Sequence, residues 1–268
     1  MDSIKATIAS TEYDAVIFDL DGVVTQTAAV HAAAWKRLFD AYLAERAARE
    51  GAAAPGGAST PDGASGDDRY RPFDLDADYA RYVDGKPRYD GVRDFLASRG
   101  IELPMGDPSD PPGRETVCGL GNGKNAFFNA EVKEHGVKTF PSTIALIHEL
   151  QDAGIRVGLM SSSKNTAMVL DVTETTDLFE VRVDGVVAAE VGLPGKPDPA
   201  MYLETARRLG VTAARSVVVE DALSGVEAGR RGEFGLVIGV DRLGQAAELA
   251  EAGADVVVDD LAEVSVTV

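Results

Sequence analysis

At 268 residues with 45% hydrophobic side chains, the chain can bury a sizeable core in one large or two modest domains. Its formal charge of −18 argues against nucleic acid as a partner, since binding to a phosphate backbone relies on clustered Lys and Arg. One local cationic pocket for a small phosphorylated molecule remains compatible with that charge. Cys118, the lone cysteine, excludes an internal disulfide framework and fits a reducing compartment. No basic-then-apolar leader opens the chain and no apolar run is long enough for a bilayer, so the expectation is a cytoplasmic protein that does not engage membranes.

In chain order, the first strand signal is the apolar run Ala15 to Phe18, which ends in Asp19-Leu20-Asp21-Gly22. A helical pattern follows through Val30, Ala33, Ala34, Leu38, Phe39, Tyr42 and Leu43. Gly51 to Gly66 is rich in Gly, Ala, Pro and Ser, and reads as a flexible surface insertion with too little bulk to offset the entropy of ordering. Helical patterns resume at Pro87 to Ser98 and Arg114 to His135. Strand candidates then alternate with helices: Ser142 to Ala153, strand Ile155 to Met160, Asn165 to Val172, Pro199 to Leu209, strand Val217 to Val219, Ala222 to Arg231, strand Leu236 to Val240, Gln245 to Ala252 and strand Asp255 to Val258.

This alternation predicts an α/β fold, a doubly wound parallel-sheet core of Rossmann-like type. Residues 1–27 and 138–268 would form the core, and 28–137 an inserted helical cap domain with the flexible insertion at about 51–68. The hinges fall near Thr25 to Ala28 and Val137 to Pro141. Right-handed crossovers put the carboxyl ends of the strands on one edge, where ligands bind in such sheets. Asp19 and Asp21, Ser161 to Ser163, Lys196-Pro197 and Glu220-Asp221 all lie just past a strand or in a loop near that edge. Carboxylates are costly to bury unless paired or metal-bound, so their recurrence there points to chemistry. The run Gly119-Leu120-Gly121-Asn122-Gly123-Lys124 has no preceding buried strand and has Cys118 and Asn125 where a phosphate-binding P-loop needs Gly and Ser or Thr.

The four acidic, hydroxyl and lysine motifs, in this order, resemble the haloacid dehalogenase superfamily, whose members mostly transfer phosphoryl groups through an aspartyl-phosphate. The resemblance implies that Asp19 is the nucleophile and a metal ligand. Asp21 would be the general acid/base, with its main-chain carbonyl also on the metal. Ser161 would bond the phosphoryl oxygens and Lys196 neutralise them, while Asp221 and Glu220 complete a Mg²⁺ site. Mg²⁺ suits this chemistry because a hard cation must sit between an attacking carboxylate and a phosphate.

Within that superfamily, DLDGVVTQTAAVHAAAW (Asp19 to Trp35) and Ser161-Ser162-Ser163-Lys164-Asn165 are similar to the β-phosphoglucomutase-like family. The similarity spans core and cap, the insertion excepted. It implies a sugar phosphomutase acting on β-glucose 1-phosphate and glucose 6-phosphate, with glucose 1,6-bisphosphate as intermediate. The substrate-binding residues it implies are Thr27, His31, Trp35, Gly85, Arg88, Lys124, Ser162, Ser163, Lys164 and Asn165. Arg88 takes the position that grips the distal phosphate, with Lys86 and Arg93 as neighbouring alternatives. Gln26 departs from the acid common in this segment. The alternative is a small-molecule phosphatase that passes the same phosphoryl group to water. A non-catalytic binding protein fits poorly with an intact Asp19, Asp21, Lys196 and Asp221, and a dehalogenase has no use for Asp21 or Mg²⁺. A monomer is expected.

Overall fold

The computed structural model describes residues 3–51, 68–75, 77–83 and 88–268. Gly85, Lys86 and nearly all of the Gly51 to Gly66 insertion lie outside these residues. The chain folds into two compact units, Met1–Thr27 with Val137–Val268, and Ala28–Gly136. Strands β1 (Ala6–Ala9) and β2 (Ala15–Asp19) open the first unit. Helices α1 (Thr27–Glu50), α2 (Arg88–Ser98) and α3 (Val117–His135) build the second. The first unit resumes with α4 (Pro141–Asp152), β3 (Arg156–Met160), α5 (Thr166–Val172), β4 (Val181–Val183) and α6 (Gly185–Val191). It ends with α7 (Ala200–Leu209), β5 (Ser216–Glu220), α8 (Leu223–Arg231), β6 (Leu236–Val240), α9 (Ala246–Ala252), β7 (Val256–Val258) and β8 (Val264–Thr267).

Six strands form one parallel sheet in the order β4-β3-β2-β5-β6-β7. Phe18 of β2 pairs with Leu159 of β3 on one side and Val219 of β5 on the other. Every residue of β2 and β5 is buried, which is why both read as continuous apolar runs rather than as alternating ones. Side chains of one parity, among them Ala15, Ile17, Val218 and Val237, pack with Tyr202 and Leu209 of α7, Val226 of α8 and Leu249 of α9. Their neighbours Val16, Phe18, Val217, Val219 and Ile238 point the opposite way and are equally buried, so the sheet is covered on both faces. Chain order reverses at β2, since β3 lies on one flank and β5 on the other. That reversal opens a crevice at the carboxyl ends of β2, β3 and β5.

Three strands escape the sequence reading for a local reason. The β4 strand is only three residues, Val-Arg-Val, and β1 and β8 pair with each other in a separate two-stranded parallel sheet. None carries a long apolar run, so each depends on a partner far along the chain. Helix α6 is short and likewise lacks a sequence signal of its own; Asp184 caps it, its carboxylate accepting from the Val186 and Val187 amides at 3.0 Å.

The second unit is an aromatic core held by helices. Phe39 of α1 lies 4.1 Å from Phe95 of α2 between ring centroids, and Phe73 packs against both. The Gly119 to Lys124 run is helical, inside α3. Its glycines serve close packing, since a Cβ at Gly121 would stand 2.8 Å from the Tyr89 ring. Thr116 starts α3 by accepting from the Gly119 amide at 2.9 Å while its hydroxyl donates to Asp110 at 2.6 Å. Among the described residues, no helix is long and apolar enough to cross a membrane.

Candidate active site

Asp19 is the last residue of β2 and only 4% exposed. Across the crevice, Glu220 ends β5 and is fully buried. Lys196 comes from the loop before α7, and its Nζ donates to Asp19 Oδ1 at 2.5 Å and also to Glu220 Oε1. Both Glu220 oxygens are thus engaged, because the Tyr202 hydroxyl donates to Oε1 at 3.1 Å and the Ala222 amide to Oε2 at 2.8 Å. Tyr202 was not singled out from the sequence. Its signal is only in the fold, where α7 presents a fully buried phenol to the end of β5.

Asp221 follows directly, and its carboxylate presses on the turn after Asp21. Gly22 has φ of 85° there, and a Cβ on it would collide with the Asp221 carboxylate, so both the conformation and the space demand glycine. Asp21 itself is held at its side chain, whose Oδ1 accepts from the Thr27 hydroxyl. Thr27 is fully buried and Asp21 partly so.

Ser161 is buried just past β3, tied through its amide to the Val183 carbonyl at 3.0 Å. Its hydroxyl accepts from the Ser163 amide at 3.1 Å, and Ser163 Oγ accepts in turn from the Asn165 amide. These bonds shape the 161–165 loop into a compact turn before α5, with Ser162 and Lys164 exposed.

Burial dominates the electrostatics. It pushes the Asp19 carboxyl well above its ordinary range, with Lys196 opposing and Glu220, Asp21 and Asp221 reinforcing. Asp221 is raised to about 8, first by burial and then by Glu220. Burial works against the Lys196 cation, but Asp19 and Glu220 outweigh it and hold the ammonium charged. One lysine therefore faces an excess of carboxylates. Oxygens of Asp19, Glu220 and Asp221 lie within 4.8 Å of one another, an all-oxygen donor set with unbalanced negative charge that fits a hard divalent cation. The Asp21 carboxylate is outside that trio, which leaves its main-chain carbonyl as the contribution expected of it.

In the second unit, the structure brings together three of the residues singled out from the sequence. Lys124 of α3 is 6% exposed and its Nζ lies 2.5 Å from His31 Nδ1 of α1. The same Nζ sits 5.5 Å from the centroid of Trp35 and 5.0 Å from that of Phe128, and His31 stacks on Phe128 at 4.5 Å. His31 and Trp35 are one helical turn apart, so both side chains project from one face of α1. Arg88 opens α2 with its stem beside Gly121 and makes no ion pair among the described residues. Gly85 lies outside the described residues.

A family model for the haloacid dehalogenase-like hydrolases matches residues 13–232. A β-phosphoglucomutase from Mycobacterium bovis is 48% identical over 252 residues, 93% of this chain and 90% of that protein. Among solved structures, a haloacid dehalogenase family hydrolase from Deinococcus radiodurans, with bound phosphate and sodium, aligns with a TM-score of 0.64 at 28% identity, covering 94% of this chain and 93% of that one. A β-phosphoglucomutase from Clostridium difficile shares the fold, with a TM-score of 0.62 at 24% identity over 93% of this chain and 92% of its own. With its acidic strand ends, its buried lysine and these likenesses along nearly its whole length, the chain belongs to the haloacid dehalogenase-like hydrolase family, in the β-phosphoglucomutase-like group, and is a phosphoryl-transferring enzyme of the isomerase class.

Proposed function

We propose that the chain is a Mg²⁺-dependent β-phosphoglucomutase that interconverts β-glucose 1-phosphate and glucose 6-phosphate through an aspartyl-phosphate and glucose 1,6-bisphosphate. The observation that carries this reading is the 48% identity to a β-phosphoglucomutase along nearly the whole chain. The arrangement of Asp19, Lys196, Glu220 and Asp221 supports it.

In this reading an Asp19 oxygen attacks phosphorus, and the bond from phosphorus to the sugar oxygen breaks. Asp21 gives its proton to that departing oxygen, steadied by the Thr27 hydroxyl. In the return step a sugar hydroxyl attacks the phosphoaspartate and Asp21 takes the hydroxyl proton, so the enzyme ends as it began. Lys196 offsets the charge of the attacking carboxylate, and Ser161 with the 162–165 loop binds the phosphoryl oxygens. Mg²⁺ held by Asp19, Glu220, Asp221 and the Asp21 carbonyl would screen the repulsion between carboxylate and phosphate. His31, Trp35, Gly85, Arg88 and Lys124 recognise the sugar and its other phosphate. Arg88 suits that last role because a guanidinium binds phosphate through paired hydrogen bonds.

The test is ³¹P NMR of the purified protein with Mg²⁺, β-glucose 1-phosphate and a trace of the bisphosphate. Glucose 6-phosphate without inorganic phosphate is the expected product. Release of inorganic phosphate instead would select the phosphatase reading.

A further inference from the structure

We infer that Arg242 is a positioning residue for proton transfer, clamping the turn that carries Asp21. Arg242 lies two residues past β6, at the same sheet edge as the acidic motifs. Its Nε donates to the Gly22 carbonyl at 2.9 Å, and its Nη1 to the Asp259 carbonyl at 3.3 Å, while Asp260 stands 3.9 Å away. The guanidinium carbon lies 3.7 Å from the centroid of the Phe140 ring. Phe140 belongs to the returning segment before α4, and its amide donates to the Val24 carbonyl at 3.0 Å. One side chain therefore joins the Asp21-Gly22 turn, the returning segment and the loop after β7.

Two features argue that this is more than surface packing. The Arg242 side chain is 17% exposed, and its Nη2 is buried with no hydrogen-bond partner among the described residues. Burial also lowers the pKa of the guanidinium, against the pull of Asp260 and Asp221. A buried, incompletely bonded cation is costly, and covering Phe140 alone would need no charge. The second feature is the constraint on Gly22. Its amide donates to the Thr25 carbonyl at 2.8 Å, Asp221 blocks any side chain on it, and Arg242 holds its carbonyl. The Gly22 backbone is thus bonded at both its amide and its carbonyl, while Thr27 holds the Asp21 carboxyl. Loss of the Arg242 bond frees the Gly22 peptide to rotate and takes Asp21 out of line with the oxygen it must protonate.

The inference rests on Asp21 being the acid/base, as proposed above, and the choice of phosphoryl donor separates the two ideas. Acetate leaves acetyl phosphate as a stable anion and needs no proton, whereas a sugar alkoxide leaving glucose 1,6-bisphosphate does. Rapid-quench rates of phosphoenzyme formation would be measured with both donors for the wild type, Asp21→Asn, Arg242→Met and Arg242→Lys. Arg242→Met is expected to lose at least about tenfold more rate with the bisphosphate than with acetyl phosphate, with the bisphosphate KM little changed and a partial recovery in Arg242→Lys. If Asp21→Asn shows that selectivity and Arg242→Met loses both donors equally or neither, the positioning role is overturned and the Asp21 assignment stands. If Asp21→Asn shows no selectivity, the acid/base assignment fails and the role of Arg242 falls with it. Should Arg242→Met not fold, Phe140→Leu, which removes the ring beneath the guanidinium, carries the same test with a smaller selective loss expected.

Discussion

Each unit of the molecule buries a lysine, and the two are accommodated in different ways. In the first unit Lys196 bonds two carboxylates, Asp19 and Glu220, at the ends of adjacent buried strands. In the second, Lys124 rests over the faces of Trp35 and Phe128 with its Nζ against His31. A buried ion pair is strongly destabilised when one partner is removed, because the survivor is left uncompensated. A cation over aromatic rings is held more weakly, and its loss removes the contacts with the two rings and the bond to His31. Lys196 is tied into its site by two carboxylates, whereas the role proposed for Lys124 is in binding sugar phosphate.

The largest effect that bears on this comparison lies beside Lys196. Asp19→Asn should abolish phosphoenzyme formation, and Asp21→Asn should retain substrate binding while losing roughly 10²–10⁴-fold in rate. Intact-mass measurement of the phosphoenzyme and steady-state kinetics read the two, and near-normal turnover in either variant would end the aspartyl-phosphate mechanism. Next, Lys196→Met should cost about 3–5 kcal/mol in urea denaturation of the metal-free protein, as Asp19 and Glu220 are left buried together. Lys124→Met should cost less than about 2 kcal/mol in the same assay. Its kinetic signature should instead be a KM for sugar phosphate raised about tenfold or more, from the loss of one charge-assisted hydrogen bond. Equal stability losses for the two lysines would erase the distinction.

The smallest expected effect is in pH dependence, where the units should differ in sign. In the first, Asp221 is raised from 3.8 to about 8 by burial and then Glu220. A raised carboxyl makes the folded state bind more protons than the unfolded one, so the metal-free protein should lose stability as pH climbs from about 4 towards 8. Asp221→Asn should flatten that slope in urea titrations across this range. In the second unit the Asp110 carboxyl is lowered, chiefly by the Thr116 hydroxyl, with the Asp107 amide and Arg114 assisting. Its contribution is present above the unfolded value and is lost as pH falls through the lowered one. Asp110→Asn should therefore remove a small acid-side dependence and leave the neutral range as it was. A variant that moved the opposite limb would show that burial around these acids differs from that described.

The sequence by itself determined the sheet's central strands and the acidic side chains at their ends. Ala15 to Phe18 and Val217 to Val219 are apolar throughout, since strands buried on both faces leave no polar positions, and a carboxylate directly after such a run stands out. Because every motif followed a strand or lay in a loop near the same edge, topology alone could bring Asp19, Lys196 and Glu220 together, as the structure does. Strands β1, β4 and β8 carried no such mark, because a short strand is defined by the partner it pairs with. Tyr202 and Arg242 were equally silent. An aromatic on an amphipathic helix and an arginine in a loop are common, and only folding aims the one at Glu220 and the other at the Gly22 carbonyl. Local pattern reflects what a segment must bury. Which atom meets a side chain's polar tip depends on contacts between segments far apart in the chain, and those exist only in the tertiary structure.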